Sequence, residues 1–317
     1  MRLLITRPLP PRVVTHAEAH FDVALREKTT PMTPAEMRSA LTIHDVVLPT
    51  LGDMFSAGIF AEIPAPRCRL LANFGVGYNH IDTAAARAVG VRVTNTPGAV
   101  TDATADVALT LMLMSARRAG EGERMVRAGR WQGWHPTQML GMHLSGKVLG
   151  VIGMGRIGRA IARRAHFGFG MEVVFFNRSP VADAGVPAQQ LGSIPAVMAA
   201  ADMVVIAVPG GAETHHLIGA VELAAMQSHA HIINIARGDV LSEAALIAAL
   251  QSGQIAGAGL DVYEFEPKVP DALRALENVV LLPHLGTAAL EVREAMGMMA
   301  VDNAIAHLEG RDLPNPV

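Results

Sequence analysis

The stretch Val148-Leu149-Gly150-Val151-Ile152-Gly153-Met154-Gly155-Arg156-Ile157-Gly158 constrains this chain more than any other. An apolar β-type run leads into Gly-x-Gly-x-x-Gly, and a helical pattern opens at Arg156. Gly153 permits a tight turn out of the strand, Gly155 lets backbone N–H groups approach an anion, and Gly158 lets helix and strand pack closely. The helix N-terminus then presents unpaired amides to that anion. A glycine-rich turn between core elements is the bland alternative, but strand before and helix after predict a doubly wound parallel sheet holding a dinucleotide pyrophosphate. Gly153, Met154, Gly155, Arg156, Ile157 and Gly158 would surround it.

A second strand-like run, 173–176, ends where an NAD-type fold usually places an acid on the ribose hydroxyls. This chain has Asn177-Arg178-Ser179 there. No carboxylate stands at these positions to repel a 2′-phosphate. Arg178 can pair with one, while Asn177 and Ser179 can donate hydrogen bonds. NADP is therefore the expected cofactor, with NAD also admissible. If the strand ends a residue or two away, Arg178 is an ordinary solvated turn residue.

The chain has 317 residues, about twice the usual domain size, so two domains are expected. In the first hundred residues, strand-like runs at 3–6, 22–25, 46–50, 70–74 and 91–95 alternate with helical patterns. The spacing of Val13, Ala17 and His20 and the run 82–89 are two of these helices. Such alternation implies a parallel sheet covered on both faces. A long apolar helix over 100–118 leads to a second alternating series: strands at 148–152, 173–176, 203–208, 232–235, 257–262 and 279–282, with helices from Arg156 and over 243–250. The helical tail 287–308 leaves too little chain for a third domain and must pack on something already built. A cleft between the two domains is the expected site.

Half of the residues are apolar and 17% are charged, as in a packed α/β enzyme and unlike a disordered tail protein. The net charge of −3 comes with no block of like charge, so neither a nucleic-acid footprint nor a polybasic membrane patch is indicated. The longest apolar stretch, 107–116, is too short for a bilayer, which needs about 20 residues. Arg7 and Pro8 end the first apolar run before a signal-peptide core is complete. The single cysteine, Cys68, reads as a buried thiol, and a reducing cytoplasm as the expected location.

Three polar residues fall at ends of strand-like runs in the second series: Arg237, Glu266 and His284. Taken singly they read as a surface turn residue, a solvated acid before proline and a satisfied histidine. Ligands of open parallel sheets bind at the carboxyl edge of the strands, where these residues fall. Hydride arriving at a carbonyl carbon builds negative charge on its oxygen. A guanidinium can stabilise that charge while an imidazolium delivers the proton. Gly75 and Gly77 free the loop after the fourth strand to turn its N–H groups toward a carboxylate, with Val76 as an apolar wall, although a plain tight turn would look the same.

Together with the glycine loop, the segments Asn73-Phe74-Gly75-Val76-Gly77-Tyr78-Asn79, Asn95-Thr96-Pro97-Gly98, Asn234-Ile235-Ala236-Arg237-Gly238-Asp239 and Gly259-Leu260-Asp261-Val262-Tyr263 resemble the D-isomer-specific 2-hydroxyacid dehydrogenase family. The branch most similar is that of the glyoxylate and hydroxypyruvate reductases. The resemblance implies two Rossmann/flavodoxin-like α/β domains. A substrate domain of residues 1–98 and 287–317 would be interrupted by a dinucleotide domain of residues 99–286. It implies that Arg237 holds the substrate, that His284 is the acid/base and that Glu266 partners it. It further implies that Thr104, Val208, Pro209, Thr214, Ile235, Ala236, Arg237, Asp261, His284 and Gly286 line the cofactor. Leu51, Gly75, Val76, Gly77 and Trp134 would join Arg237 and His284 around a small 2-oxo or 2-hydroxy acid, Trp134 reaching a neighbouring subunit's pocket. The bland reading of Trp131 and Trp134 is that they pack beneath the segment joining helix and strand.

Formate dehydrogenases of this fold carry an amide where this chain has Glu266, which disfavours that branch. A nucleotide-sensing corepressor and an oxidoreductase of phosphite or another small anion are the alternatives such residues also allow. His16 and His20 have metal-binding spacing without an evident third ligand, and no metal is expected. The apolar surplus of the 100–118 helix (Val107, Leu109, Leu111, Met112, Leu113, Met114) predicts a homodimer, with 131–140 contributing.

Overall fold

A computed structural model describes residues 1–317 as two compact units, one of Met1–Val100 with Thr287–Val317 and one of Thr101–Gly286. The first unit holds β1 (Arg2–Ile5), α1 (Pro11–Glu18), β2 (Asp22–Leu25), α2 (Pro34–Ile43), β3 (Val46–Leu48), α3 (Ala57–Ala61), β4 (Leu70–Ala72), α4 (Thr83–Ala88) and β5 (Arg92–Thr94). The strands pair in parallel in the order β2-β1-β3-β4-β5. Leu3, Val46, Val47, Leu70 and Leu71 are fully buried, as strands covered on both faces require.

Strands β3 and β4 are among those shorter than their apolar runs suggest. β3 stops before Pro49, which has no N–H for a ladder, and the expected runs 46–50 and 70–74 continue only as a bridge between Thr50 and Phe74. His20 lies beyond α1 and is exposed, so it does not extend that helix's buried face of Val13 and Ala17. Helix α2 carries a capping box, Thr33 accepting from the Glu36 N–H while the Glu36 carboxylate accepts from the Thr33 N–H. Cys68 is fully buried, and burial pushes its thiol up to about 12, which makes it inert.

The second unit holds α5 (Thr101–Ala116), α6 (Ala119–Arg127), β6 (Val148–Ile152), α7 (Arg156–Phe169), β7 (Glu172–Phe176), β8 (Gln189–Gln190), α8 (Ile194–Ala200), β9 (Met203–Ile206), α9 (Ala220–Ala224), β10 (His231–Asn234), α10 (Glu243–Gln251), β11 (Gly257–Leu260), α11 (Asp271–Arg274) and β12 (Val279–Leu281). Its seven parallel strands run β12-β11-β10-β9-β6-β7-β8. The chain leaves β6 toward β7 on one side and returns to β9 on the other, so the topological switch point lies at the end of β6. Apolar clusters cover both faces of this sheet, one around Val204, Ile206, Ile232 and Leu260, the other around Val151, Val205, Ile233 and Leu111. α12 (Leu290–Leu308) returns to the first unit and packs on α1 and β4.

The apolar surplus of α5 has a cause other than the expected one. Ala105, Ala108, Leu109, Leu111 and Met112 are buried within the second unit, against α7, β10 and β11, and among the large side chains only Leu113 stays exposed. Further along the chain, Val126, Trp131, Trp134 and Leu140 are among the exposed large apolar side chains. The tryptophans do not pack beneath the connecting segment, since Trp131 is 54% and Trp134 79% exposed. No helix is long and apolar enough to cross a membrane.

Candidate active site

The glycine loop sits at the switch point. Gly153 follows β6 with φ of 100°, and a Cβ there would lie 2.8 Å from the Ala207 carbonyl oxygen. A Cβ on Gly158 would lie 2.2 Å from the Gly153 carbonyl oxygen, so helix and turn meet only because residue 158 is glycine. A Cβ on Gly155 would meet no protein atom within 4 Å, which leaves open space beside the first turn of α7. That space and the unpaired amides at the α7 N-terminus fit a pyrophosphate. The Met154 side chain points into the core, so only its backbone faces this space, while Arg156 is exposed and Ile157 half-buried.

Beyond β7, the 177–179 turn is tied to the edge strand. The Gln190 amide nitrogen donates to the carbonyls of Asn177 and Ser179, and its oxygen accepts from the Val181 N–H. The Asn177 amide donates one hydrogen bond to the Ser179 carbonyl within the turn. Arg178 forms an ion pair with Glu213. Positions 177–179 hold no carboxylate of their own, but one reaches Arg178 from the turn after β9, 35 residues along the chain. Thr214 anchors that turn through hydrogen bonds from its hydroxyl to the carbonyls of Pro209 and Gly211. Val208 is half-buried on the same segment.

Arg237, Glu266 and His284 follow the carboxyl ends of the neighbouring strands β10, β11 and β12. The structure brings Glu266 and His284 together, with 2.9 Å between Glu266 Oε2 and His284 Nδ1. The Tyr263 N–H donates to Glu266 Oε1 at 3.1 Å. Burial alone would raise the Glu266 carboxyl. The hydrogen bond and charge of His284, the Tyr263 N–H and the Arg237 charge carry it below the usual carboxylate range instead. Glu266 is thus an anion at neutral pH.

His284 itself has φ of 55°, an unusual backbone for a residue other than glycine. Its neighbours over-determine that turn. The His284 N–H donates to the Asp261 carbonyl, the Leu285 and Gly286 N–H groups donate to the Asp261 carboxylate at 2.6 and 2.8 Å, and the Thr104 hydroxyl donates to the Gly286 carbonyl. The Tyr263 hydroxyl adds a bond to the Leu282 carbonyl. Asp261 and Thr104 are therefore clamps on the His284 turn, both buried. Burial raises the Asp261 carboxyl more than those two amides lower it.

Arg237 is half-buried on a turn that the Asn234 side chain clasps, donating to the Arg237 carbonyl and accepting from the Ala236 N–H. Ile235 and Ala236 are buried beneath it. Burial pulls the Arg237 guanidinium below its ordinary value while the charges of Glu266 and Asp239 oppose this, and an arginine remains a cation throughout. Gly210 makes room for its side chain, since a Cβ there would lie 2.6 Å from Arg237 Cγ, and Gly238 lets the turn pass the Tyr263 backbone, since a Cβ there would lie 1.8 Å from the Tyr263 carbonyl carbon.

In the first unit, the carboxyl edge of the sheet carries Leu51 and the Gly75–Gly77 turn. Leu51 is half-buried beside Asp53, whose buried carboxylate accepts from the Thr6 hydroxyl and the N–H groups of Met32 and Thr50. The Gly75, Val76 and Gly77 carbonyls all accept hydrogen bonds from inside the unit. His16 pairs with Asp302, and no cluster of three metal-ligating side chains exists anywhere in the chain.

Proton transfer through a carboxylate-held imidazole, on a sheet edge that also carries a dinucleotide loop, is the chemistry of nicotinamide-dependent oxidoreductases. Residues 109–286 match the family model of the D-isomer specific 2-hydroxyacid dehydrogenase, NAD binding domain. A glyoxylate reductase of Korarchaeum cryptofilum is 40% identical over all of this chain and 95% of its own length. An NADPH-dependent glyoxylate/hydroxypyruvate reductase of Sinorhizobium meliloti, solved with NADP and malonate, superposes with a TM-score of 0.88 at 34% identity, over 100% of this chain and 96% of that one. A D-mandelate dehydrogenase of Rhodotorula graminis superposes with a TM-score of 0.86 at 30% identity, over 100% and 97%. The chain belongs to the D-isomer specific 2-hydroxyacid dehydrogenase family and is an NAD(P)-dependent oxidoreductase.

Proposed function

We propose that the protein reduces small 2-oxo acids, glyoxylate and hydroxypyruvate first among them, to 2-hydroxy acids of D configuration where the product is chiral, with NADPH preferred. The observation that carries this reading is the Glu266–His284 hydrogen bond on the edge where Arg237 also stands. The likeness to named glyoxylate reductases over the whole chain supports the substrate class.

Bound nicotinamide supplies the hydride. As it reaches the carbonyl carbon, the carbonyl electron pair moves to oxygen, Arg237 stabilises the growing negative charge and His284 delivers the proton. Glu266, anionic and hydrogen-bonded to Nδ1, fixes the ring so that Nε2 is the transferring atom. The amides of Val76 and Gly77 would take the substrate carboxylate, with Leu51 as an apolar wall. Gly153 to Gly158 would hold the pyrophosphate, and Val208, Pro209, Thr214, Ile235, Ala236, Asp261 and Gly286 the rest of the dinucleotide. In this reading residues 1–98 with 287–317 form the substrate domain and 99–286 the cofactor domain.

The exposed run of Val126, Trp131, Trp134 and Leu140 supports a homodimer in which Trp134 of one copy serves the other. Light scattering at micromolar concentration should give twice the chain mass. The activity is tested by steady-state rates with glyoxylate, hydroxypyruvate, pyruvate, phenylpyruvate and phosphite, each with NADPH and NADH. Glyoxylate and hydroxypyruvate should give the highest kcat/KM, and a clear preference for phenylpyruvate or phosphite would overturn the assignment.

A further inference from the structure

Asn73 follows β4 and is fully buried, a costly place for an amide unless every group on it is used. All are. Its nitrogen donates to the Gly75 and Gly77 carbonyls at 3.0 Å each, and its oxygen lies 3.1 Å from Nε2 of His80, itself buried. The opposite amide orientation would set an oxygen against two carbonyl oxygens, so the donor and acceptor ends are fixed. The partner of the amide oxygen must then donate, which places a proton on Nε2 of His80.

The intervening carbonyl is held as well. Val76 accepts from the Asn95 side-chain amide at 2.9 Å, and the Thr96 N–H adds a second bond to the Gly75 carbonyl at 3.1 Å. A trans peptide is planar, with its C=O and the next N–H pointing in opposite directions. Turning the Gly75 and Val76 carbonyls inward therefore turns the N–H groups of Val76 and Gly77 outward. No group of the protein accepts from either amide. Gly75 has φ of 149°, a conformation other residues rarely adopt, which lets the chain reverse at that point.

We infer that Asn73, itself oriented by His80, is a positioning residue that aims the Val76 and Gly77 amides at the substrate carboxylate before substrate arrives. The inference rests on the carboxylate-binding reading of this turn given above. A donor pair held in place has no ordering cost to meet on binding, so its loss falls on the affinity of every carboxylate ligand rather than on proton transfer.

The test is Asn73→Asp, which keeps size and still accepts from His80 but cannot donate to the two carbonyls. KM for glyoxylate and the inhibition constant of oxalate, a dead-end dicarboxylate, should rise together by about 10-fold or more, with kcat changing less and the NADPH dissociation constant unchanged. His80→Leu should give a smaller rise of the same kind, and His80→Gln, which retains a donor, should restore it. Should Asn73→Asp fail to fold, the two His80 variants carry the same comparison. Gly77→Pro, which deletes one outward amide, separates the two levels of the argument. If it weakens oxalate while folded Asn73→Asp and His80→Leu leave oxalate within about two-fold of the unmodified enzyme, the positioning role is wrong and the carboxylate site stands. If Gly77→Pro leaves oxalate unaffected, the carboxylate reading fails and the inference falls with it.

Discussion

Replacing Arg178 by Ala probes the cofactor preference at a site whose magnitudes follow from the structure. Arg178 and Glu213 are 77% and 80% exposed in their side chains, and ion pairs that open contribute about 0–1 kcal/mol. A 2′-phosphate must displace Glu213 at that cost. Its charge-assisted hydrogen bonds to the guanidinium contribute roughly 1.5–3 kcal/mol. The balance of about 0.5–3 kcal/mol corresponds to roughly 2- to 140-fold in favour of NADPH, at about 1.4 kcal/mol per decade. Stopped-time or continuous assays at saturating glyoxylate should therefore show kcat/KM for NADPH falling by that factor in Arg178→Ala, with the NADH value unchanged. Glu213→Gln removes the competitor and a like charge beside the phosphate, so the NADPH value should rise a few-fold. Because the groups are exposed, the preference should shrink as salt is added. Equal or better kcat/KM with NADH in the unmodified enzyme, or an Arg178→Ala enzyme with its preference intact, would refute the reasoning.

His284→Ala should lower kcat by about 10²–10⁴-fold with NADPH affinity nearly intact, since it removes proton transfer alone; a near-normal kcat would exclude the assigned role. Arg237→Ala should raise KM and lower kcat together, because the cation serves ground and transition states alike. Glu266 is held below the usual carboxylate range, so its anion persists across neutral pH, and activity that depends on it should be lost only as pH falls through that lowered value. Glu266→Gln keeps the shape and removes the charge, and the pH profile of reduction should shift to lower pH; an unmoved profile would detach Glu266 from the imidazole. Away from this edge, burial pushes His231 down to about 4, with its Nδ1 2.7 Å from the Ser115 hydroxyl. The unfolded chain takes up the proton near pH 6.5 and the folded one does not, so stability from His231 is full above about 6.5 and drains as pH falls toward 4, by up to about 3 kcal/mol. Denaturant titrations of His231→Gln should show a flatter slope over that window.

What the linear chain determined is whatever depends on near neighbours. The strand–glycine–helix succession around Gly153 is a local device: Gly153 and Gly158 are needed for contacts with residues close in sequence or at the end of the adjacent strand, and Gly155 leaves open space beside the helix start. Strand-like runs located eleven of the twelve strands; β8 has only Gln189 and Gln190, with no apolar pattern to betray it. Helix α2 carries a start signal in Thr33-Pro34-Ala35-Glu36, a capping box that the apolar spacing used above does not reveal. Arg237, Glu266 and His284 could be picked out because a parallel sheet delivers every strand end to one edge. What only the tertiary structure decided is which groups meet across long loops. Glu213 reaches Arg178 over 35 residues, and His284 meets Glu266 over 18. The same folding buried most of the apolar excess of α5 in its own unit and left Trp131 and Trp134 outside. Asn73 and His80 looked like ordinary polar residues of a glycine-rich turn, because a buried hydrogen bond depends on direction and exclusion from water, and neither exists until the chain has folded around it.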